Sequence, residues 1–496
     1  MDIKTDLAGF GNLQGLEAIS TLDIHFARLM TQLSGQDSPE LFFAAALVSS
    51  QTREGHICLD LAELANQEFQ QEKLGENSAE MPIPSLEAMK AVLSSSVVVG
   101  KPGEFKPLIL GENKLYLNRY WHYEDRLAKF IKNGVHATVP IGNPEELQSS
   151  LAKCFPMSGG EQTDWQRIAA ATAVLKKFCV ITGGPGTGKT YAIAKIIALM
   201  LEQSETSELR IILAAPTGKA AVRLQDSIRA AKTELNCPDE IKVLIPEEAS
   251  TIHRLLGYIP NSPYFRHDAD NPLDVDVMIV DEASMVDLAL MAKLVQALPP
   301  DARLILLGDS NQLASVEAGA VLGDICDLGA THPYSKDFAE RLVSVSGQKL
   351  EVDMAAESKS GIQDCIVRLK RSYRFESQKG IGEVSHAVNS GDGDLAIAIL
   401  KDDKFSDVEW HSLSSENIIA AIIQQFRDYD YEANPRDSLE RFERFRILCA
   451  VREGPLGVNA TNLKIEQFVK RNLRIKQTEF WYPGQPVLIT QNDYRL

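Results

Sequence analysis

The sequence predicts an α/β protein in which a parallel sheet, covered by helices on both faces, follows a mostly helical region. Four short runs, KFCVIT, RIILAA, DVMIVD and RLILLG, are apolar and suited to strands. Each is followed by a turn and, in most cases, by a helical pattern. Strands that are apolar on both faces and alternate with helices are typical of a buried parallel sheet.

The composition is that of an ordinary globular protein. The chain has 496 residues, enough for about three domains; 44% of the residues are hydrophobic and 24% are charged. The formal net charge of −17 argues mildly against nucleic-acid binding. It does not exclude it, because a local basic channel can lie within an acidic chain.

The cysteines and the N-terminal residues indicate which metal sites and which cellular compartment to expect. The seven cysteines contain no CxxC pair, so the sequence indicates neither a zinc site nor an iron–sulfur cluster. A dispersed, odd set is typical of a reducing compartment. We see no basic segment followed by an apolar run at the start, and no stretch of about 18 apolar residues. We therefore expect a cytoplasmic protein without a membrane span.

Residues 1–150 are expected to form a mostly helical domain. In DSPELFFAAALVSS, Asp37 or Ser38 is a suitable N-cap and Pro39 lies in the first helical turn. The segment KPLILGENKLYLNRYWHYEDRLAKFI predicts a short hairpin that leads into a helix. Its aromatic residues suit either a packing face or a binding platform: Tyr116, Tyr120, Trp121 and Tyr123.

Two further domains are expected at residues 151–350 and 351–496. The polar, Gly-rich stretch CFPMSGGEQTDW predicts a linker ahead of the sheet. Another polar stretch, near residues 331–365, predicts either an excursion from the sheet or the crossing to the next domain. Beyond it, RILCAV and QPVLIT are strand candidates, and VNATNLKIEQFVKRNLRI between them predicts a basic amphipathic helix.

The segment GGPGTGKT matches the phosphate-binding pattern GxxxxGK[ST] between a predicted strand and a predicted helix. Its glycines let backbone N–H groups point at phosphates, and the helix N-terminus attracts the same anion. Lys189 is expected to reach the β- and γ-phosphates of ATP, and Thr190 to ligate Mg²⁺. The other residues of this nucleotide-binding loop are Gly183, Gly184, Pro185, Gly186, Thr187 and Gly188.

The segment MIVDEASM carries two acidic residues at the C-terminal end of an apolar strand. Asp281 is expected to hold Mg²⁺ through water, and Glu282 is the candidate base that polarises the attacking water. Alone, the pattern also suits an ordinary acidic turn. Downstream of a phosphate loop, it predicts a site of ATP hydrolysis in a P-loop, RecA-like domain.

Three further stretches, AAPTGKAAVRL, ASTIHRLLG and LLGDSNQLASVEAG, follow the motif order of superfamily-one helicases. The first forms a strand-to-helix turn whose N–H groups can hold a DNA phosphate. Residues of the second can contact the backbone or bases of a single strand. Taken singly, each also suits a helix cap or polar loop. The candidate DNA-binding residues are Thr217, Gly218, Lys219, Ser250, Thr251 and His253.

Four residues complete the candidate ATP site. Gln312 ends a predicted strand beside the γ-phosphate position and can sense hydrolysis. In LKRSYRF, Arg374 resembles the arginine that reaches the γ-phosphate from the second motor domain, and Tyr373 can stack on the base. In DWQ, Gln166 resembles the helicase residue that reads adenine.

Together these motifs resemble the RecD family, the alpha subunit of exodeoxyribonuclease V in RecBCD complexes. The resemblance covers roughly residues 110–496. The segments VEAGAVLGDIC and REGPLGVN are its most specific evidence, because they are not motifs of ATPases in general. It implies an ATP-dependent 5′→3′ DNA helicase of bacterial double-strand-break repair and recombination, acting on single-stranded DNA and duplex ends.

The resemblance also implies partners. A RecB-like subunit would carry the nuclease and a RecC-like subunit the scaffold, with residues 1–150 as the dock. Stand-alone relatives carry an N-terminal extension with helix–hairpin–helix elements that we do not find here, which favours the complex. A stand-alone RecD-like helicase and a P-loop scaffold whose ATP site only regulates assembly remain alternatives.

Two expectations concern the end of the sequence and the segment before the acidic strand. Family members continue past QPVLITQNDYRL into a further DNA-contacting motif and a further ATP-site arginine, so we expect an incomplete second motor domain and slow hydrolysis by this chain alone. Residues 257–275 are a candidate strand-separating element.

Overall fold

The structure is a computed structural model that describes residues 19–65, 85–140, 143–156, 163–204, 209–313, 315, 317–327, 334–350, 361–373, 375, 379–412, 423–424, 426 and 434–488. The chain divides into two compact units, Met1–Ser377 and Gln378–Leu496. Each unit is described by itself below.

The first unit begins with helices around a small mixed sheet. The helices are α1 (Thr21–Ser34), α2 (Pro39–Arg53), α3 (Leu61–Ala65) and α4 (Leu86–Ser95). The strands are β1 (Cys58–Asp60), β2 (Val99–Gly100), β3 (Leu108–Leu110) and β4 (Lys114–Leu117). Their order in the sheet is β1-β4-β3-β2, with β2 and β3 parallel and the other pairs antiparallel.

Local sequence signals produce these elements. Ser38 caps α2 by accepting a hydrogen bond from the Leu41 N–H at 3.2 Å, and Pro39 opens the helix. The predicted hairpin is confirmed as β3 and β4, which lead into α5 (Asn118–His136). Tyr116 and Tyr120 are buried and serve packing, whereas Trp121 and Tyr123 are partly exposed.

A six-stranded parallel sheet forms the centre of the first unit. Its strands are β5 (Phe178–Gly183), β6 (Ile211–Ala215), β7 (Ala249–Thr251), β8 (Val277–Val280), β9 (Arg303–Gly308) and β10 (Ile366–Leu369). Their order is β10-β5-β9-β8-β6-β7, and all paired neighbours are parallel. The predicted α/β fold with a parallel sheet is confirmed, and the four apolar runs supply strands β5, β6, β8 and β9.

Helices cover both faces of this sheet. After α5 they are α6 (Pro144–Cys154), α7 (Trp165–Leu175), α8 (Lys189–Glu202), α9 (Gly218–Glu234), α10 (Asp239–Leu244), α11 (Ile252–Leu256), α12 (Leu288–Gln296), α13 (Val321–Cys326) and α14 (Lys336–Ser346). Alternate residues of β5 pack into the hydrophobic cores on opposite faces of the sheet. Cys179 and Ile181 belong to one core, and Phe178 and Val180 belong to the other. Burial on both faces explains why the runs carry almost no polar residues.

The expected boundary after residue 350 is wrong for the sheet. Strand β10 pairs with β5 in the register Leu369 to Gly183, so the sheet continues beyond that point. Residues 331–365 are therefore an excursion, whose described part includes α14 packed beside α6 and α7. A four-residue strand after a polar insertion gives little local signal, because its place depends on pairing across the sheet.

The second unit is helical in its described residues. Its helices are α15 (Lys379–Asn389), α16 (Gly393–Leu400), α17 (Pro435–Glu443) and α18 (Val458–Asn472). The predicted amphipathic helix is confirmed as α18. The strands expected at RILCAV and at the described part of QPVLIT are absent there, because neither segment has a backbone ladder with a neighbour.

Gly319 joins the N-terminal helices to the central sheet, and we expect Gly319→Ala to destabilise the first unit. Its N–H donates to the Gly55 carbonyl at 3.1 Å and its φ is +104°. A Cβ there would lie 2.6 Å from Leu288 Cβ and 3.2 Å from Ile57 Cγ2. We expect a loss of about 2–4 kcal/mol, combining backbone strain and overpacking.

The matched control is Gly103→Ala. Gly103 also has a positive φ of +90°, but nothing lies within 4 Å of a Cβ built there. It should lose only about 1 kcal/mol. Urea unfolding followed by tryptophan fluorescence compares the midpoints of both variants. Equal midpoints would show that crowding by Leu288 and Ile57 does not destabilise the first unit.

Candidate functional site

The phosphate loop lies between β5 and α8, at the carboxyl edge of the sheet. Gly186 and Gly188 have φ of +76° and +78°, a conformation that favours glycine. A Cβ on Gly183 would lie 2.9 Å from Leu369 Cβ, so the sheet also requires glycine there. The loop thus follows the strand–loop–helix geometry of an anion-binding site.

Lys189 is the first residue of α8, and its side chain folds back over the loop. Its ammonium Nζ donates to the carbonyl oxygens of Gly183 at 2.5 Å and Gly184 at 3.2 Å. The positive charge therefore lies inside the curve of the loop. The domain is a nucleotide-binding domain of the P-loop type.

The acidic pair lies beside the loop because β8 is two strands away from β5 in the sheet. Asp281 is only 7% exposed, and the Thr190 hydroxyl donates to its Oδ2 at 3.5 Å. Burial raises the pKa of Asp281, although the Glu282 N–H, nearby Lys189 and the Thr190 hydroxyl act in the opposite direction. Hard oxygen donors beside a phosphate loop fit Mg²⁺.

Glu282 has a backbone conformation that sequence reasoning missed. Its φ and ψ are 52° and 39°, in the left-handed region that is rare for a non-glycine residue. Its N–H donates to Asp281 Oδ1 at 2.9 Å. The turn directs the two neighbouring carboxylates differently: Asp281 is buried while Glu282 is partly exposed.

The loop after β9 holds Gln312. The Ser284 hydroxyl donates to Gln312 Oε1 at 3.3 Å, and the Gln312 N–H donates to the Asp309 carbonyl at 3.2 Å. Strand β9 lies between β5 and β8 in the sheet. Gln312 therefore follows the strand between the phosphate loop and the acidic pair, as expected for a γ-phosphate sensor.

Gln166 and Tyr373 flank the outer side of the phosphate loop. Gln166 Nε2 donates to the Thr187 carbonyl at 2.9 Å, and the Tyr373 N–H donates to the Gly186 carbonyl at 2.9 Å. A Cβ on Gly188 would overlap the Gln166 amide. Both predicted base-contacting residues are therefore close to the loop, whereas Arg374 lies outside the described residues and its role stays a prediction.

The candidate DNA-binding residues lie at the ends of two adjacent strands: three follow β6, two end β7, and His253 lies in α11. Strand β6 pairs with β7 in the register Ala215 to Thr251, so the turn after β6 and the junction of β7 with α11 lie at the same edge of the sheet. The first turn is exposed at all three candidates: Thr217, Gly218 and Lys219. Their DNA-binding role stays a prediction.

Several of these side chains also have structural roles. The hydroxyls of Thr217 and Thr251 cap α9 and α11 by accepting from Ala220 and Arg254, each at 3.2 Å. The Ser250 hydroxyl donates to the Thr251 carbonyl at 3.4 Å. At these positions the backbone N–H groups are better candidates for DNA contact than the threonine side chains.

His253 is held beside a small hairpin within residues 257–275. Its ring lies 5.8 Å from the Phe265 ring, and burial lowers its pKa. Tyr258 and Phe265 form an antiparallel bridge, and Tyr264 beside it is 74% exposed. An exposed aromatic ring suits stacking on a base, yet the strand-separating role of this segment stays a prediction.

Three polar residues at this edge were not singled out by sequence reasoning. Thr182 hydrogen-bonds Ser310, and Ser284 hydrogen-bonds Gln312. A threonine at the end of an otherwise apolar run was the available signal.

Among described residues no three His, Cys, Asp or Glu side chains gather as a metal site, and no described helix is long and apolar enough to span a membrane.

Two family models match the chain. Residues 16–116 match the model described as "RecBCD enzyme subunit RecD, N-terminal domain", and residues 166–318 match an "AAA domain" model. The second match begins at Gln166 and ends before Gly319, so it covers the sheet edge described above.

Three curated relatives are similar to most of this chain. "RecBCD enzyme subunit RecD" of Haemophilus influenzae is 35% identical, with 79% of this chain and 65% of that protein covered. The protein of the same name from Mycolicibacterium smegmatis is 34% identical, with 97% and 78% covered. "ATP-dependent RecD2 DNA helicase" of Deinococcus radiodurans is 28% identical, with 77% and 43% covered. The chain therefore belongs to the RecD family.

Proposed function

We propose that this chain is the ATP-driven DNA helicase subunit of a RecBCD-type exodeoxyribonuclease V. One observation carries the proposal: a single sheet edge holds the ATP-site residues that follow β5, β9 and β8, the exposed turn after β6, and the end of β7 where α11 begins. Such an edge can link ATP hydrolysis to movement along a DNA strand. The relatives named as RecBCD subunits support the same activity.

The chain's own residues divide the chemistry of hydrolysis. Lys189 neutralises charge on the transferred phosphoryl group, and Glu282 polarises the attacking water. Thr190, and Asp281 through water, would hold Mg²⁺, which when bound would neutralise further charge on the phosphates. Gln312 orients the water and registers the loss of the γ-phosphate.

Hydrogen bonds offer a route from the ATP site to the strand-binding turns. The Asp281 N–H donates to the Ala214 carbonyl at 2.9 Å, which ties the acidic turn to β6. Strand β6 leads directly into the exposed turn at Thr217. A shift of the acidic turn on hydrolysis therefore moves a neighbouring DNA contact.

The proposal includes a domain layout and partners. Residues 1–150 dock on a RecC-like scaffold, the first motor domain runs from residue 151 through β10, and the second follows to residue 496. A RecB-like subunit supplies the nuclease. The complex works in the bacterial cytoplasm, moves 5′→3′ along single-stranded DNA, and enters from duplex ends during double-strand-break repair.

ATP hydrolysis by the full-length protein, measured with and without single-stranded DNA and with and without RecB-like and RecC-like subunits, tests this function. We expect turnover that single-stranded DNA stimulates and displacement of a 5′-tailed strand. DNA affinity should fall steeply with salt and vary little with sequence, because phosphate and stacking contacts dominate. No stimulation under any of these conditions would contradict the motor and favour a regulatory scaffold.

A stand-alone helicase is the second candidate, supported by the similarity to the Deinococcus radiodurans protein. Size-exclusion chromatography with light scattering separates the two. Co-elution with RecB-like and RecC-like subunits supports the complex. A monomer that unwinds DNA and ignores them supports the stand-alone form.

We expect Gln166→Ala to weaken selection of adenine. A carboxamide can pair with the N6 and N7 edge of adenine, which guanine does not match. Loss of about one hydrogen bond should raise the KM for ATP roughly fivefold and reduce the preference for ATP over GTP. Steady-state kinetics with both nucleotides measure this.

Gln203→Ala, at the far end of α8, is the matched control and should behave as wild type. If Gln166→Ala left the ATP-to-GTP ratio unchanged, Gln166 would have no part in reading the base.

A further inference from the structure

Strand β5 ends in a buried hydroxyl that points across the sheet edge. Thr182 is 1% exposed and pairs through its backbone with Gly308 of β9. Its Oγ1 accepts a hydrogen bond from the Ser310 N–H at 3.0 Å and donates to Ser310 Oγ at 3.1 Å. One side chain thus ties the strand before the phosphate loop to the loop after β9.

The strand itself does not require this hydroxyl. Valine has the same shape, suits strands at least as well and carries no polar group into the core. Every other residue of β5 from Phe178 to Ile181 is apolar. The hydroxyl at the last position before the glycines therefore serves polar contacts: the two hydrogen bonds to Ser310 and one with the Cys326 side chain.

The tied loop carries Gln312. Asp309 is 4% exposed, and its Oδ1 accepts from the Asn311 N–H at 3.0 Å while its carbonyl accepts from the Gln312 N–H at 3.2 Å. These bonds make the segment from Asp309 to Gln312 one compact turn. Thr182 anchors this turn at Ser310, and Ser284 holds its far end through the Gln312 amide.

We propose that Thr182 is a positioning residue for ATP hydrolysis, which sets the place of Gln312 relative to the phosphate loop. The inference rests on the proposed function. Because Gly183 follows Thr182 directly, any movement of the phosphate loop is transmitted through this hydroxyl to the turn that carries Gln312. Losing the tie should slow the chemical step and leave nucleotide binding intact.

Three variants test this inference in the complete chain with its partner subunits and saturating single-stranded DNA. Thr182→Val removes both hydrogen bonds to Ser310, Thr182→Ser keeps them, and Thr172→Val is the control. Thr172 is also fully buried, but its hydroxyl only donates to the Ile168 carbonyl within α7 at 2.9 Å. We expect kcat of Thr182→Val to fall about three- to tenfold with the KM for ATP within twofold.

Thr182→Ser and Thr172→Val should keep wild-type kcat. A fall in the Tm of Thr182→Val without a fall in kcat would overturn the inference, as would an equal loss of kcat in Thr172→Val. If Thr182→Val does not fold, Ser310→Ala removes the loop-side hydroxyl and should lower kcat, and an unchanged kcat overturns the inference. Wild-type protein without DNA-stimulated turnover would instead overturn the proposed function, and this inference with it.

Discussion

Replacing Lys189 with alanine is expected to reduce ATP turnover by about 10²–10³-fold, the usual cost of losing one preorganised charge-stabilising donor. The ammonium lies inside the curve of the phosphate loop, 2.5 Å from the Gly183 carbonyl. Its loss leaves the phosphate charge without the cation that the fold places there.

The measurement is single-stranded-DNA-stimulated phosphate release, with nucleotide binding followed separately. Lys195→Ala is the matched control, because Lys195 lies on the same helix with its ammonium 4.3 Å from the Phe155 ring centroid. It should retain wild-type turnover. Near-normal turnover in Lys189→Ala would show that this loop is not the engine of the protein.

Replacing Glu282 with glutamine is expected to slow the chemical step by about 10²–10⁴-fold while ATP still binds. Glutamine keeps the size and the polarity but does not take a proton from water. The left-handed backbone at this position, with φ of 52°, stays unchanged by the substitution. The loss should therefore report chemistry and not folding.

Single-turnover hydrolysis, measured together with nucleotide affinity, separates a slower chemical step from a loss of folding or binding. Glu317→Gln is the control, because Glu317 is an exposed carboxylate in the loop that follows β9. It should leave kcat unchanged. Equal single-turnover rates for wild type and Glu282→Gln would remove Glu282 from the role of base and direct attention to Gln312.

Much of the site was readable from the sequence because its chemistry depends on short contiguous segments. Gly183 to Thr190 form one loop, and Asp281 and Glu282 are neighbours in the chain. The four apolar runs were found since burial on both faces excludes polar residues over several positions. The first motor sheet, its phosphate loop and its acidic turn therefore follow from local pattern.

Other features were missed for physical reasons that can be named. Strand β7 has three residues and is partly buried, so it carries no apolar run. Strand β10 follows an insertion, and its assignment depends on pairing with β5. The second-unit strands were predicted from apolar runs alone, yet a run becomes a strand only where a neighbour supplies hydrogen bonds.

The sequence by itself determined the α/β class, the nucleotide-binding loop and the identity of most candidate residues, because these depend on contacts within a few positions of the chain. Only the tertiary structure decided the strand order that brings Gln312 between the loop and the acidic pair. It alone revealed the left-handed turn at Glu282 and the hydroxyl tie from Thr182 to Ser310. The tie arises from segments distant in sequence that meet at one sheet edge, and no local pattern encodes which segments will meet.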